Sequence, residues 1–412
     1  MPPDAPAEGR GAAIGEVLVA SLTLGLTSFG GPIAHIGHFR REYVERRRWL
    51  DDARFGDLLA LSQALPGPAS SQLGIAIGTL RAGRIGGLVA WLGFTLPSAV
   101  ALVAFALLTG SLDVAEAGWL RGLKLAAVAV VAHAVHAMWR SLAPDVTRSG
   151  LVVAAAVAAL AWPSPVTQVG IIVAGAIAGR VLLPAARAEH ARANAADVAL
   201  ARGEDRGGRR WALACLVLFG VLLVGLPALR EAVASQAIAV TDTFYRAGSL
   251  VFGGGHVVLP LLSESVVAPG WVSDDRFLAG YGAAQAVPGP LFTFAAYLGA
   301  SLSTGPSGVA GAAIALGAVF LPSFLLVWGV LPFWDAVRAR AGVRRALSGV
   351  NAAVVGILLA ALITPVWTSA VVGPIDVLIA GAAALLLVTL RAPPWAVVVL
   401  AAAAAELGAA VG

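Results

Sequence analysis

The chain is short of cysteine and of charged residues, and these shortages exclude most classes of soluble protein. Its 412 residues include one cysteine, Cys215, so a disulfide-stapled fold is excluded. Only 12% of the residues are charged and 59% are hydrophobic, whereas soluble domains average about 25% charged and about 45–50% apolar residues. Because so little polar surface cannot cover a water-exposed fold of this size, the composition predicts an all-α, polytopic transmembrane helical bundle.

Motifs of soluble enzymes are also absent from the sequence. There is no His-Glu-x-x-His zinc motif, no Gly-x-Ser-x-Gly nucleophile elbow and no phosphate-binding P-loop. His133 and His136 lie three residues apart, but two histidines alone make a weak metal site. We therefore expect no enzymatic activity, no cofactor and no resident metal ion.

The formal charge of +5 comes almost entirely from arginine, since Lys124 is the one lysine in the chain. The arginines cluster between apolar runs, as basic residues do in the cytoplasmic loops of membrane proteins. This distribution argues against a nucleic-acid partner. It predicts a multi-pass membrane protein, surrounded by membrane lipid.

Apolar runs of a length that suits a membrane helix recur along the chain, and they predict six spans, then one, then six. These thirteen runs lie near 12–29, 55–80, 85–110, 119–140, 148–162, 164–184, 211–229, 234–255, 277–302, 307–332, 344–366, 372–390 and 394–411. The predicted organisation is a disordered tail (1–11), a first transmembrane half (12–184), an arginine-rich cytoplasmic loop with a linker helix (185–233) and a second half (234–412).

An internal repeat is the strongest pattern in the sequence. At a constant offset of 222 residues, nine of twenty positions in 49–68 and 271–290 are identical, including both Pro-Gly-Pro triplets. Because one span separates two halves of six, the halves are predicted to have inverted topology, as in many transporters. Further paired motifs are Phe-Gly-Gly at 29–31 and 252–254, and Leu-Pro-Ser at 96–98 and 321–323.

The arginines support this topology at all but one segment. With the N-terminus inside, residues 40–54 would lie outside, although they carry six arginines. An interfacial amphipathic helix would accommodate this segment. Alternatively, 55–80 is a re-entrant hairpin bent at its Pro-Gly-Pro, but the same bend in both halves would misplace the arginines of 338–345. Thirteen crossings remain the expectation. For segments 55–80 and 277–302, the sequence leaves open whether they span the membrane or are re-entrant.

Pro-Gly-Pro within an apolar run predicts a broken helix, since each proline removes a backbone donor. The restarted helix offers free N–H groups and a positive dipole end, which suit an oxyanion, and paired breaks of this kind point to a transporter's binding site. The alternative is a kink that only shapes helix packing. Candidate ligands in the first half are Gln63, Gly67, Ser70, Ser71 and Gln72. Those in the second half, which is poorer in donors, are Gln285, Gly289 and Thr293.

Further candidates lie at the glycine motifs. Glycines let the end of a helix unwind, so that its N–H groups can face an anion. The alternative is that each motif is only a helix C-cap followed by a loop. The candidates are Gly30, Gly31 and His35 in the first half, and Gly254 and His256 in the second. The histidines suit a proton-linked or anion-facing role. Lys124 would attract an anion or reach the membrane interface, and its repeat partner is Asn351. Asp242 and Arg246, four residues apart on a helix, are expected to pair.

As a set, these motifs resemble the chromate transporter family of bacterial membrane proteins in its long, two-domain form. The likeness runs in order through both halves, from about residue 20 to residue 365. It rests on the glycine, Pro-Gly-Pro and Leu-Pro-Ser motifs, on Trp49 and Trp271, and on the segment 349–356. One departure is Pro32, which stands where the second half has a third glycine.

The resemblance implies a secondary transporter of the bacterial inner membrane that exports chromate from the cytoplasm, driven by the proton motive force, and confers chromate resistance. Its partners would then be chromate and protons. Sulfate is the alternative substrate, because it is also a tetrahedral dianion of similar size. A membrane-embedded enzyme acting on lipid or quinone is a further alternative, but it would need a nucleophile or a metal cluster that the sequence does not show. A homo-oligomer remains open.

Overall fold

The computed structural model describes residues 7–29, 31–111, 118–184, 206–252, 258–334, 340–390 and 392–411. Within these ranges every regular element is a helix. Five helices are long and apolar enough to cross a membrane by length and composition, namely those over Ala69–Gly110, Gly118–Leu142, Gly208–Ala232, Gly308–Phe333 and Gly342–Ala370. The predicted all-α membrane bundle is confirmed, whereas the count of thirteen crossings is not.

The described part of the first half contains seven helices. They are α1 (Ala7–Thr27), α2 (Gly31–Arg40), α3 (Asp52–Ala64), α4 (Ala69–Ser111), α5 (Gly118–Leu142), α6 (Val146–Ala161) and α7 (Pro165–Leu182). A π-helical turn over Arg41–Arg46 extends α2. The backbone leaves helical geometry at Ala82 and Gly83, so α4 consists of a short segment, 69–81, and a long segment, 84–111.

The linker helix α8 (Arg206–Ala232) leads into a second half with eight described helices. They are α9 (Gln236–Leu250), α10 (Val258–Leu262), α11 (Asp274–Ala286), α12 (Phe294–Ala300), α13 (Gly308–Val330), α14 (Ala341–Ala361), α15 (Pro374–Val388) and α16 (Pro394–Val411). Short turns complete them at Ser263–Val267, Leu291–Thr293, Leu331–Phe333, Leu362–Trp367 and Thr368–Ala370.

The repeated sequence before each Pro-Gly-Pro forms the same helix start in both halves. The Asp51 side chain accepts a hydrogen bond from the Arg54 N–H and caps α3, and Ser273 caps α11 through the Arg276 N–H. Side-chain oxygens at this position satisfy N–H groups that have no partner inside the helix. The shared arginine of the repeat therefore occupies the same place in each helix start.

Helices α1 and α2 form an antiparallel hairpin. His35 Nε2 lies 3.2 Å from the Ser28 carbonyl oxygen near the tip, and Tyr43 Oη lies 3.4 Å from Ser21 Oγ further down. At the base, Arg47 Nη1 donates to the Glu16 carbonyl oxygen over 3.4 Å. The chain therefore returns at residue 47 to the level from which α1 rose.

The next segment, α3 followed by residues 69–81 of α4, returns to the same level. Arg81 Nη2 donates to Glu16 Oε2 over 2.8 Å, so the end of this second hairpin lies beside the base of the first. The guanidinium groups of Arg47 and Arg81 both lie over the Trp49 ring, 5.1 and 5.2 Å from its centroid. The arginine-bearing segment before α3 therefore lies on the same side of the bundle as the start of α1.

The second half repeats this arrangement. The Ser303 N–H donates to the Trp271 carbonyl oxygen over 2.9 Å, which joins the two ends of the segment containing α11 and α12. Gly305 packs against Gln236 at the start of α9. The pair α9 and α10 and the pair α11 and α12 therefore also begin and end at one common level.

Helix lengths place the hairpin tips deep in the bundle. From Glu16 to Ser28 the chain advances twelve residues, which is about 18 Å of helix. The hydrocarbon core of a bilayer is about 30 Å thick. Hairpins whose bases lie at the membrane surface therefore place their tips near the middle of the membrane.

Two central helices are exchanged between the halves. Helix α5 of the first half packs against α15 and α16 of the second, whereas α14 of the second half packs against α6 and α7 of the first. Glycines permit these close approaches: Gly122 lies against Ala401 and Ala402, and Gly349 lies against Gly175 and Gly179. Small residues at such contacts are typical of membrane helix packing.

Candidate functional site

The hairpin tips of the two halves meet through two equivalent backbone hydrogen bonds. The Gly289 N–H donates to the Ser28 carbonyl oxygen over 3.0 Å, and the Gly67 N–H donates to the Val251 carbonyl oxygen over 2.6 Å. In each case the glycine of a Pro-Gly-Pro in one half binds the end of the opening helix of the other half. Each Pro-Gly-Pro is thus brought to the residue that precedes the Phe-Gly-Gly motif of the other half, far away in the sequence.

The two glycines are required at these crossings by their conformation and by space. Gly67 has φ +118° and Gly289 has φ +104°, a backbone region that favours glycine. A Cβ atom on Gly67 would lie 2.9 Å from Ser323 Oγ, and one on Gly289 would lie 2.7 Å from Ser98 Oγ. The serines of the two Leu-Pro-Ser motifs therefore face the glycine of the opposite half.

The predicted helix break at each Pro-Gly-Pro is present and is braced by a side chain that follows it. Gln72 Nε2 donates to the Pro66 carbonyl oxygen over 2.6 Å, and Thr293 Oγ1 donates to the Pro290 carbonyl oxygen over 2.7 Å. Both residues were predicted as anion ligands. The structure gives each of them a hydrogen bond to the broken backbone itself.

A small pocket lies at the crossing of Gly289 with Ser28. Its wall combines three residues of the first hairpin with residues around the second Pro-Gly-Pro and the start of α16. The lining residues are Ser28, Gly31, His35, Ala284, Gln285, Val287, Gly289, Leu291 and Pro394. Of the predicted ligands, the structure therefore brings Gly31, His35, Gln285 and Gly289 together.

Two buried polar groups of the pocket lining lack hydrogen-bond partners among the described residues. They are Ser28 Oγ and Gln285 Nε2, on side chains that are 0% and 9% exposed. Buried polar groups are normally paired, so a group without a partner calls for a ligand, a water molecule or a functional explanation. A hydroxyl and an amide N–H₂ can both donate to an oxyanion.

Helix ends add to the electrostatics of the pocket. Helix α2 begins at Gly31, and the helical turn that leads into α12 begins at Leu291, so two N-terminal ends border it. Unpaired N–H groups and the positive dipole end of a helix favour an anion. The His35 ring packs edge-on against Phe94, with ring centroids 5.4 Å apart, which fixes its orientation.

The other predicted ligands lie elsewhere. Ser70 and Ser71 are buried at the start of α4, whereas Gln63, the repeat partner of Gln285, is exposed. Lys124 Nζ donates to Asp275 Oδ1 over 2.8 Å, so its charge is paired. Asn351 is half-buried on α14 and does not line the pocket. Gly30, Gly254 and His256 lie outside the described residues.

Sequence reasoning missed three residues of this site. Ser28 directly precedes the first glycine motif and was not singled out, although it lines the pocket and its carbonyl oxygen accepts the Gly289 N–H. Ser98 and Ser323 belong to a recognised repeat motif, which could have indicated their role at the crossings. Across the described ranges, this site included, no group of three or more His, Cys, Asp or Glu side chains could hold a metal ion.

Comparison with known proteins agrees with this architecture. The family profile described as "Chromate transporter" matches residues 15–180 and 238–407, one block in each half. A chromate transport protein of Pseudomonas aeruginosa is 32% identical over 343 residues, which cover 82% of this chain and 77% of that protein. A probable chromate transport protein of Synechococcus elongatus is 27% identical over 349 residues, which cover 83% of this chain and 82% of that protein.

A shorter relative matches a segment about half as long as one of the two repeats. An uncharacterised transporter of Bacillus subtilis is 35% identical over 88 residues, which cover 21% of this chain and 45% of that protein. No solved structure matches the chain. The helical fold and these relatives indicate a multi-pass membrane transporter. More particularly, the chain belongs to the chromate transporter family.

Proposed function

We propose that the protein exports chromate from the cytoplasm across the bacterial inner membrane, driven by the proton motive force, and thereby gives chromate resistance. The observation that carries the proposal is the pocket between Ser28 and Gln285, which is built from hairpin tips of both halves and contains unpaired donors. The relatives named as chromate transport proteins support chromate as its substrate.

The chemistry of the pocket suits a tetrahedral dianion. Gln285 Nε2 and Ser28 Oγ would donate to its oxygens, and the starts of α2 and of the turn at Leu291 would direct positive dipole ends toward it. Transport requires that the anion binds weakly enough to be released. Neutral donors and helix dipoles meet this requirement, since they attract the dianion less strongly than a full positive charge would. Sulfate presents the same shape and charge, so substrate competition has to distinguish the two anions.

We also propose that the four hairpins are re-entrant, which leaves nine crossings in place of thirteen. The crossings are residues 84–111 of α4, then α5 to α8, and α13 to α16. With the start of α1 inside, the arginines near Trp49 lie inside, because Arg47 and Arg81 meet at Glu16. This arrangement obeys the positive-inside rule at the segment that the thirteen-span arrangement misplaces, and it keeps Arg340, Arg344 and Arg345 inside.

The mechanism follows from the crossed tips. The tips meet at two contacts, Gly289 with Ser28 and Gly67 with Val251, and each half contributes one hairpin to each contact. A rocking of one half against the other would separate one contact while the other stays closed. The Ser28 carbonyl oxygen occupies the Gly289 N–H in this structure. Separation of these two residues would free the N–H for an oxygen of the substrate. Inverted halves around one site are a common basis of alternating access.

The nine-crossing proposal predicts the labelling of two new cysteines. Cys215 is the one native cysteine, so Cys215→Ser provides a cysteine-free background. Ala53 and Ala268 are both exposed, in the segments that precede the two Pro-Gly-Pro hairpins. In whole cells we expect a membrane-impermeant maleimide to label Ala268→Cys and to leave Ala53→Cys unlabelled until the membrane is opened.

The thirteen-span arrangement gives the opposite result at both positions. Labelling of Ala53→Cys from outside, together with protection of Ala268→Cys, would exclude the re-entrant hairpins. The intact and opened cells act as each other's control, because every cysteine must label in opened cells before its protection is informative.

Transport itself is tested with inside-out vesicles that contain the protein, given radiolabelled chromate with and without a proton gradient and with excess sulfate. We expect gradient-dependent accumulation that sulfate blocks only weakly. Accumulation abolished by sulfate would indicate a broader oxyanion carrier. Accumulation no greater than in vesicles without the protein would contradict the proposed function.

A further inference from the structure

A buried carboxylate on α9 is shared by two arginines. Asp242 is 0% exposed, and its Oδ2 atom accepts hydrogen bonds from Arg246 Nη2 over 2.8 Å and from Arg230 Nη1 over 3.4 Å. Asp242 Oδ1 has no hydrogen-bond partner in the part of the chain that the structure describes. The pairing of Asp242 with Arg246 expected from the sequence is present, but a third residue, from the linker helix α8, joins it.

This triad carries one unbalanced positive charge. Two guanidinium groups face one carboxylate, and both arginine side chains remain 39% exposed. Alignment of the two Phe-Gly-Gly motifs places Val19 and Thr23 of α1 opposite Asp242 and Arg246. The Asp242–Arg246 pair therefore belongs to one hairpin and is absent from its counterpart in the other half, and the excess charge comes from Arg230 of α8.

The triad lies between the proposed outer surface and the hairpin tip. Asp242 is six residues from Gln236 at the base of α9, which is about 9 Å of helix, and nine residues, about 14 Å, from Val251 at the tip. The Arg230 guanidinium also lies over the Trp271 ring, 5.7 Å from its centroid, near that base. Charged side chains at such depth face a bundle interior or a water-filled cavity, because exposure to lipid is costly.

We propose that Arg230, Asp242 and Arg246 form a second anion site, which the transported oxyanion occupies between the central pocket and the outer surface. This inference rests on the proposed function. The two guanidinium groups converge on one oxygen atom, and their remaining N–H groups form the planar donors that bind oxyanions. The Asp242 carboxylate holds the two arginines together and weakens the attraction, so that the site releases its anion to the exterior.

The test measures the KM for chromate on each side of the membrane. Counterflow of radiolabelled chromate in right-side-out vesicles gives the outer KM, and uptake into inside-out vesicles gives the inner KM. We expect Arg246→Gln to raise the outer KM about tenfold and Asp242→Asn, which frees both arginines, to lower it several-fold. The inner KM should stay unchanged in both variants. Arg148→Gln, at an ion pair near the opposite end of the bundle, is the matched control.

The opposite signs separate an anion site from a structural clasp between α8 and α9. A clasp predicts that both substitutions lower the amount of folded protein and change the outer KM in the same direction, or not at all, and this result would overturn the proposal. Arg230→Gln removes the other guanidinium group and should also raise the outer KM, opposite in sign to Asp242→Asn, which decides the matter if Arg246→Gln does not fold. Wild-type protein that fails to transport chromate would contradict the proposed function instead.

Discussion

Replacing Gln285 by alanine is expected to raise the KM for chromate about 10- to 100-fold, since a hydrogen bond to a charged group contributes about 1.5–3 kcal/mol. Gln285 lines the pocket, and its amide nitrogen is buried without a partner among the described residues. The measurement is chromate uptake into inside-out vesicles, normalised to the amount of folded protein in the membrane. Gln285→Glu should be more severe, because its carboxylate repels a dianion.

Gln63→Ala is the matched control for this prediction. Gln63 occupies the same position of the repeat as Gln285, but it is exposed and does not line the described pocket. The sequence alone predicts that its loss weakens transport, whereas the structure predicts a KM within about threefold of the wild type. A larger effect at Gln63 than at Gln285 would move the substrate site to the other crossing.

Substituting the glycine at either crossing is expected to abolish most of the transport. Gly289→Ala would place a Cβ atom 2.7 Å from Ser98 Oγ, and Gly67→Ala would place one 2.6 Å from Gln72 Nε2. Overpacking of this kind costs about 1–3 kcal/mol, and the positive φ adds about 1–2 kcal/mol for a residue with a side chain. We expect the transport rate to fall more than tenfold, measured as initial chromate uptake.

Gly270→Ala separates the two causes. Gly270 also has a positive φ, +76°, but a Cβ atom there would meet nothing within 4 Å, so this variant should keep most of its transport. Ser98→Ala combined with Gly289→Ala removes the contacted hydroxyl group and should restore part of the rate. Equal loss in Gly270→Ala and Gly289→Ala would show that backbone strain, and not the close crossing of the halves, is responsible.

Much of this architecture could be predicted from the sequence, because composition and repeats report on it directly. The low charge content predicted a membrane bundle, and the matched Pro-Gly-Pro triplets predicted the broken helices. The contact between the hairpin tips of the two halves, in contrast, joins residues that are far apart in the sequence. Nothing local to Gly289 shows that its N–H will meet the carbonyl group of Ser28, 261 residues earlier in the chain.

The proposed re-entrant hairpins illustrate why span counting from a sequence is difficult. An apolar run such as 12–29 has the length and hydropathy of a crossing helix whether or not its successor returns to the same side. The six arginines of 40–54 were the local sign of the conflict. A re-entrant 55–80 alone could not resolve it, because α1 and α2 also have to form a hairpin, which the contact of Arg47 with Glu16 indicates.

Charge pairing was the other feature beyond sequence reasoning. Lys124 drew attention as the one lysine of the chain, but its partner Asp275 lies 151 residues away on α11. A neutralised ammonium group contributes less to an anion site than a free one does. Identity within a repeat was also an incomplete guide, since Gln63 and Gln285 match in sequence and differ in burial.

The most direct test of the account locates the anion itself. Crystals of the protein soaked with chromate, measured above and below the X-ray absorption edge of chromium, would show the position of the metal atom of the substrate. We predict an anomalous peak in the pocket bordered by Ser28, His35 and Gln285. A peak at Lys124 or beside Gln63, with none in that pocket, would contradict the central claim that the crossed hairpin tips form the substrate site.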